Sequence, residues 1–283
     1  MGLQTSHLEA FSEVAKLRSF SKAAKVLHVT QSALSQRVMN LESEIGHALF
    51  IRDPAGIRLT DEGQELLRYC RSKDALEEEF LGKLKGDGIS GRIRIGGFSS
   101  VMRSLVLPVI SDMTSKHPAL RVELITRELR ELEPLLASNQ VDFILTSNNS
   151  SRHEIESHLL GYENNVLVRP KDGKYREGVF LDHDADDLTS FEFLKMQDKS
   201  SAKIERCYLD EVYGIMDGVA HGMGEAILPE HLVRHDKRLR IVSGRKPLKI
   251  PVYLQYYKQP FYAKLTTAVV ERLLKDVPVH LVK

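Results

Sequence analysis

Hydrophobic positions fall at helical spacing through the first part of the chain. Leu8, Phe11, Val14 and Ala15 form one stripe, which predicts a first helix. A second, short helix is expected over 21–28, where the small Ala23 and Ala24 would let a neighbouring helix approach closely. Val29-Thr30 makes a turn, Thr30 is a suitable N-cap, and a third helix opens at Gln31. In it Leu34, Val38, Leu41 and Ile45 recur at i, i+4, i+7 and i+11, one buried face. Two short extended segments then flank Asp53-Pro54-Ala55-Gly56, a hairpin. Residues 60–85 predict one long helix, capped by Thr60, with Asp61 and Glu62 suited to its N-terminal dipole. Its apolar positions Leu66, Leu67, Cys70, Leu76, Phe80 and Leu84 make an imperfect stripe. Gly86-Asp87-Gly88 ends the pattern and places a domain boundary near residue 88.

Past that boundary the period changes. Arg92-Ile93-Arg94-Ile95 alternates and ends in Gly96-Gly97, a strand and turn. Further strands are expected at 121–126, 142–146, 165–169, 178–181, 226–228 and 251–256, and helices at 101–117, 129–138, 202–209, 212–221, 229–235 and 263–275. The alternation predicts an α/β architecture with parallel strands.

Composition bounds the function. The 283 residues suffice for about two domains. Forty Lys plus Arg balance 39 Asp plus Glu, so any affinity for a polyanion has to be local. It is: no acid occurs from Val14 to Leu41, whereas Lys16, Arg18, Lys22, Lys25 and Arg37 do. A cationic stretch of this kind is what a phosphate backbone requires. The third helix shows Gln31, Ser32, Ser35 and Gln36 near its N-terminus, beside Ser21, Lys22, Thr30 and Arg37. Gln can pair bidentately with adenine in the major groove, and Ser with several bases. A helix-turn-helix places its base-reading residues there. The hairpin would then be a wing, with Arg52 and Arg58 reaching a phosphate or the minor groove; both also fit as plain surface arginines. The competing reading of the whole segment is a helical hairpin with a solvated basic face.

Other chemistry is weakly represented. Cys70 and Cys207 stand far apart and in no Cys-x-x-Cys pair, which suits a reducing compartment and neither a disulfide framework nor a thiolate metal site. No apolar run is long enough to span a membrane, and the N-terminus lacks a signal-peptide pattern, so a cytoplasmic location is expected. Residues 182–187, Asp-His-Asp-Ala-Asp-Asp, begin like a calcium loop but have Asp187 at the glycine position and Phe193 at the twelfth; a solvated acidic loop is expected. The glycines of 218–224 follow a helix, not a strand, and suit a helix end better than a dinucleotide loop. No catalytic constellation, metal site or cofactor motif is present, so an enzyme is not expected.

The residues Ser19-Phe20-Ser21-Lys22-Ala23-Ala24, Leu27-His28-Val29-Thr30-Gln31-Ser32-Ala33-Leu34-Ser35, Leu41-Glu42, Ile45-Gly46, Leu49-Phe50 and Leu59-Thr60-Asp61-Glu62-Gly63 together resemble the LysR-type family of bacterial transcriptional regulators. A weaker likeness continues through 91–97, Pro108, His117-Pro118, Val141-Asp142 and 218–229. The resemblance implies a winged helix-turn-helix domain over 1–60, a linker and dimerisation helix over 61–88, and an effector-binding domain over 89–283. The last would have a periplasmic-binding-protein-like fold, with one subdomain at about 91–165 plus 259–283 and another at about 166–258. It further implies double-stranded DNA as partner, a small-molecule effector, and a homodimer or homotetramer paired through Leu66, Cys70, Leu76 and Phe80; the alternative for that helix is packing on its own domain. The segments 30–37 and 76–82 resemble the branch that responds to basic amino acids, while 180–196 departs from it; an amino acid or small carboxylate is the expected effector class.

Strand ends of an open α/β sheet are where such ligands sit. Ser99 and Ser100 follow the first strand, Thr126 ends the second, and Thr146-Ser147 ends another. By resemblance these line the cleft; as turns and caps they need no ligand. Two other functions stay open: a constitutive regulator with a vestigial cleft, and a solute-binding or enzymatic module with a DNA anchor.

Overall fold

The caps legible in the sequence, Thr30 and Thr60, start the third and fourth helices. A computed structural model describes residues 2–53, 56–85, 89–197 and 204–281, with the side chains of Arg52, Asp53, Lys83 and Lys85 outside the described ones. The chain forms two units: Met1–Gly91 with Ala137–Gln140, and Arg92–Leu136 with Val141–Lys283.

In the first unit, α1 (Thr5–Leu17), α2 (Phe20–Val26) and α3 (Gln31–Ile45) are followed by the antiparallel hairpin β1 (Phe50–Asp53) and β2 (Gly56–Leu59), then by α4 (Asp61–Lys85). The cap of α2 is Ser19, whose side chain accepts from Lys22 N; Ser21 lies inside the first turn and does not start the helix. Thr30 caps α3 by accepting from Ala33 N at 3.1 Å, and Gly46 closes it in the left-handed region at φ 79°. Leu34, Val38 and Leu41 are fully buried with Phe11, Ala23 and Leu49. Phe50 stacks obliquely on Phe11 and meets Phe20 edge-on, which fixes the hairpin to the helices.

α4 divides along its length. Thr60 accepts from Gly63 N at 3.0 Å and donates to Ala48 O at 2.7 Å, anchoring its first turn. Leu66, Leu67 and Cys70 are buried in the core of this same unit. The expectation that Leu66 and Cys70 lie on the pairing stripe is therefore corrected: the first turns of α4 complete the N-terminal core. Burial also pushes the Cys70 thiol up from its ordinary range. Past this point the apolar side chains turn outward, and Leu76, Phe80 and Leu84 are exposed, with Tyr69 on the same line.

The second unit begins with β3 (Gly91–Gly97), α5 (Ser99–Val101), a π-helical turn Met102–Val106, α6 (Leu107–Lys116), β4 (Leu120–Thr126), α7 (Leu129–Ala137) and β5 (Phe143–Thr146). The helix expected over 101–117 is interrupted because Pro108 has no N–H to return to the Ser104 carbonyl, and the turn widens just before it. There follow β6 (Ile155–Pro170), β7 (Val179–Asp182), α8 (Thr189–Met196), β8 (Glu205–Tyr208), α9 (Val212–Ala220), β9 (Ala226–Pro229), α10 (Glu230–Val233), β10 (Leu239–Ile241), β11 (Leu248–Tyr257), α11 (Lys264–Asp276) and a final 3₁₀ turn Val277–His280.

The main sheet runs β10-β6-β11-β5-β3-β4, with β9 also on β6. β3 and β5 are parallel, but β11 is antiparallel to both β5 and β6, and β9 and β10 are antiparallel to β6. The expectation of parallel strands is thus corrected to a mixed sheet. β7 and β8 form a separate parallel pair. The helix expected over 202–209 is instead strand β8 from Glu205; residues 202 and 203 lie outside the described ones. β6 begins ten residues earlier than expected, and its first part pairs with β11 from Ile155 opposite Tyr257 to Asn165 opposite Leu248, with a register break at Val252/Tyr253 opposite Gly161 and Leu159. Two cores flank this long strand. One gathers Leu132, Leu136, Val141, Ile144 and Ile155; the other gathers Val168, Leu181, Ile215, Val219 and Leu228. Among the described residues no helix is long and apolar enough to cross a membrane, and no group of His, Cys, Asp and Glu is placed to hold a metal ion.

Candidate functional site

Two surfaces carry the chemistry, one on each unit. On the first, the N-terminal turn of α3 stands clear of the core. Gln31, Ser32 and Gln36 are exposed, Ser35 and Arg37 half-buried, and Ser21, Lys22 and Thr30 exposed beside them. Three hydrogen bonds order this face. Ser21 Oγ donates to Gln31 Oε1 at 2.8 Å, Thr30 Oγ1 and Ser32 Oγ lie 3.1 Å apart, and Gln36 Nε2 donates to Asn40 Oδ1 at 2.8 Å. Acids stay at its margins: Glu13 pairs with Lys16, and Glu42 accepts from Leu49 N. Arg58 sits on β2 opposite Ile51; the side chain of Arg52 lies outside the described ones.

On the second unit the ends of β3, β4 and β5 lie side by side, joined by the β3–β5 register and by Arg127 N donating to Gly97 O. This brings the expected hydroxyls to one edge, but most are already engaged. Ser99 Oγ donates to Glu211 Oε1 at 2.9 Å, and Ser100 Oγ to Glu163 Oε1 at 2.8 Å. Thr146 is buried and accepts from Asn148 N, a turn cap; Thr126 is exposed and Ser147 half-buried.

Sequence reasoning missed the groups that organise this edge. Glu163, only 3% exposed, lies midway along β6 between the two cores. His231, the second residue of α10, places Nε2 2.7 Å from Glu163 Oε1 and Nδ1 2.9 Å from Ser104 Oγ. Ser104 donates to Ser100 O at 2.6 Å, which closes a ring through Ser100, Glu163, His231 and Ser104. Glu211 caps α9 by accepting from Tyr213 N and Gly214 N. The Arg103 guanidinium lies 3.8 Å from the centre of the Tyr213 ring, and burial raises the Tyr213 phenol above its usual range against the lowering pull of Arg103. Further out, His183 Nε2 is 3.0 Å from Glu128 Oε2, and Arg130 is 3.9 Å from Asp186. Each contact ties a residue near the first core to one near the second. The available signal was the Glu163-Asn164-Asn165 triplet, a polar run that hid the strand around it.

The acidic loop is also more ordered than expected. Asp182, 3% exposed, accepts from Ser190 Oγ and Arg206 Nε, while Arg206 donates to the carbonyls of Asp184, Ala185 and Asp187. Asp182 and Arg206 thus join β7, β8 and α8, while residues 183–187 beyond Asp182 are exposed or half-buried.

Comparison with known proteins bears on both surfaces. A family model described as "Bacterial regulatory helix-turn-helix protein, lysR family" matches residues 5–64, and one described as "LysR substrate binding domain" matches residues 86–278. The HTH-type transcriptional regulator ShiR of Corynebacterium glutamicum (strain R) is 36% identical over 170 residues, 58% of this chain and 57% of its own length. The chain thus spans a little over half the length of that relative. Among solved structures, ArgP from Mycobacterium tuberculosis is similar with a TM-score of 0.80 at 21% identity, covering 100% of this chain and 99% of its own. Full-length LysG from Corynebacterium glutamicum, with its effector Arg bound, gives 0.77 at 19% identity over 98% and 99% of the two chains.

Proposed function

The chain belongs to the lysR family of bacterial helix-turn-helix regulators, and from that premise we propose that it is a sequence-specific DNA-binding transcriptional regulator whose grip on DNA is set by a small-molecule effector. The observation that carries this is the acid-free face of α3: exposed Gln31, Ser32 and Gln36 on a capped, core-anchored helix. Its relatives are named as transcriptional regulators, in keeping with a protein that acts in the cytoplasm and need not catalyse anything.

Ser35, Gln31 and Gln36 read base edges; Lys22, Thr30, Ser32, Arg37 and the wing arginines Arg52 and Arg58 hold the backbone, and Ser21 supports Gln31. Gln31→Ala or Ser35→Ala is expected to relax sequence preference by about 1–3 kcal/mol per lost base contact. Arg58→Ala is expected to weaken binding to all sequences alike and to flatten the salt dependence. Titrations of full-length protein on selected and random duplexes check both; equal losses on the two duplexes for Gln31→Ala would refute base reading.

The effector lies between two lobes, about 91–165 with 259–283 and about 166–258, in the crevice that Ser99, Ser100, Thr126, Thr146 and Ser147 border. The carboxylates of Glu163 and Glu211 and the guanidinium of Arg103 gather at this edge, charges that complement the two ends of an amino acid and favour that class. A thermal-shift screen of amino acids and small carboxylates, followed by DNA binding with each hit, tests this. An unchanged melting temperature across the panel would favour a constitutive regulator.

Pairing of two copies through α4 supplies two reading heads. The stripe Tyr69, Leu76, Phe80 and Leu84 covers one line of the helix, with Phe80 59% and Leu84 70% exposed. Phe80→Glu is expected to shift the mass seen by light scattering toward the monomer and to lower operator affinity at least tenfold, since the two heads would bind independently.

A further inference from the structure

An amide side chain offers DNA a donor at one end and an acceptor at the other, and a free Gln uses both on adenine, accepting from N6 and donating to N7. The amide of Gln31 is not free to turn. Its Oε1 accepts from Ser21 Oγ at 2.8 Å, across the junction between α2 and α3. The electrostatics favour that orientation of the amide. Gln31 is the first residue of the 15-residue α3, whose leading N–H groups concentrate partial positive charge, and Lys22 stands next to Ser21 with no acid nearby in sequence. Oxygen toward this pole and nitrogen away from it is the lower-energy placement. Gln36 shows the contrast one turn further on: there the amide is held by its donor end, Nε2 donating to Asn40 Oδ1.

We infer that Ser21 is a specificity-determining positioning residue: by holding the Gln31 carbonyl it makes Gln31 a donor toward the major groove, so that the base opposite it is one that presents acceptors there. Guanine, with O6 and N7 both acceptors, fits the outward –NH2. Adenine places its own N6 amino group against that donor, so the usual Gln–adenine pairing is disfavoured. The inference rests on the reading of α3 as a recognition helix.

In vitro selection from a random duplex library with the full-length chain tests it. The position that Gln31 reads is the one whose preference disappears in Gln31→Ala. At that position the wild type is expected to favour guanine over adenine by about tenfold or more. Ser21→Thr keeps a hydroxyl and should keep that preference. Ser21→Ala should admit adenine to near parity, because the amide then turns freely. Gln31→Glu can still accept from Ser21 but has no donor, and should shift the preference to cytosine, whose N4 amino group donates. These residues are exposed, so melting curves of the variants should match the wild type. Adenine at this position in the wild type, or an unchanged preference in Ser21→Ala, would overturn the inference while leaving DNA reading intact. A wild type that enriches no sequence would remove the DNA-reading premise, and the inference with it.

Discussion

Replacing Arg206 with methionine is expected to destabilise the second unit by about 3–5 kcal/mol at neutral pH, the usual cost of stripping one partner from a buried ion pair. Arg206 and Asp182 are 11% and 3% exposed, so solvent screening offers little relief. Burial already lifts the Asp182 carboxyl above its ordinary range, with Ser190 and Arg206 pulling the other way. Without the guanidinium the lift grows. The sign follows directly. A carboxyl whose folded pKa exceeds its unfolded value favours the fold below the unfolded pKa and loses that contribution as pH rises through the folded one. The deficit of the variant relative to wild type should therefore be largest near neutrality and shrink as the solution is acidified through the raised Asp182 pKa. Urea melts followed by circular dichroism at a series of pH values measure this. A deficit independent of pH would mean that lost packing against Phe191 and Tyr208, which Arg206 also covers, dominates instead.

Gly63→Ala should be the corresponding failure in the first unit. A β-carbon at Gly63 would lie 2.2 Å from the Leu49 carbonyl oxygen and 2.9 Å from Leu59 Cδ2. That carbonyl accepts from Thr60 N at 3.1 Å, so it cannot withdraw without loosening the start of α4. Overpacking against backbone makes a loss of about 2–3 kcal/mol the expected result, with specific DNA binding failing at a lower temperature than in wild type. Gly214→Ala is the contrast. No atom lies within 4 Å of its β-carbon in α9, and the gain in helix propensity of up to about 1 kcal/mol should leave stability unchanged or improved. Equal melting of Gly63→Ala and wild type would show that α4 can shift along the hairpin.

The sequence disclosed the first unit well because its determinants are local. Caps at Thr30 and Thr60, the stripe from Leu34 to Leu41 and the pairing of β1 with β2 all act within a few residues of one another, while Pro54 and Ala55 of the expected turn lie outside the described residues. The second unit depends on pairings far apart in the chain. β6 and β11 meet across some eighty intervening residues, counting from Pro170 to Leu248. β8 was misread as a helix because Glu205-Arg206-Cys207-Tyr208 has no clear alternation, and it is a strand only because β7 lies beside it. The Glu163–His231 contact joins residues 68 apart, so no local pattern announces it. On α4 the periodicity was legible, but which half of the stripe belonged to this unit's own core was not. That was decided by the helices against which Leu66 and Cys70 pack.

β6 and β11 continue as a hydrogen-bonded ribbon from one core to the other, interrupted only by the register break beside Gly161, whose φ is 150°. A rotation of one lobe against the other cannot be absorbed by a slack loop along that ribbon; it is stored there as torsion. A domain built on such a ladder resists that rotation like a torsion spring, with a resting angle set by the pairing and its most compliant point at the irregularity opposite Val252.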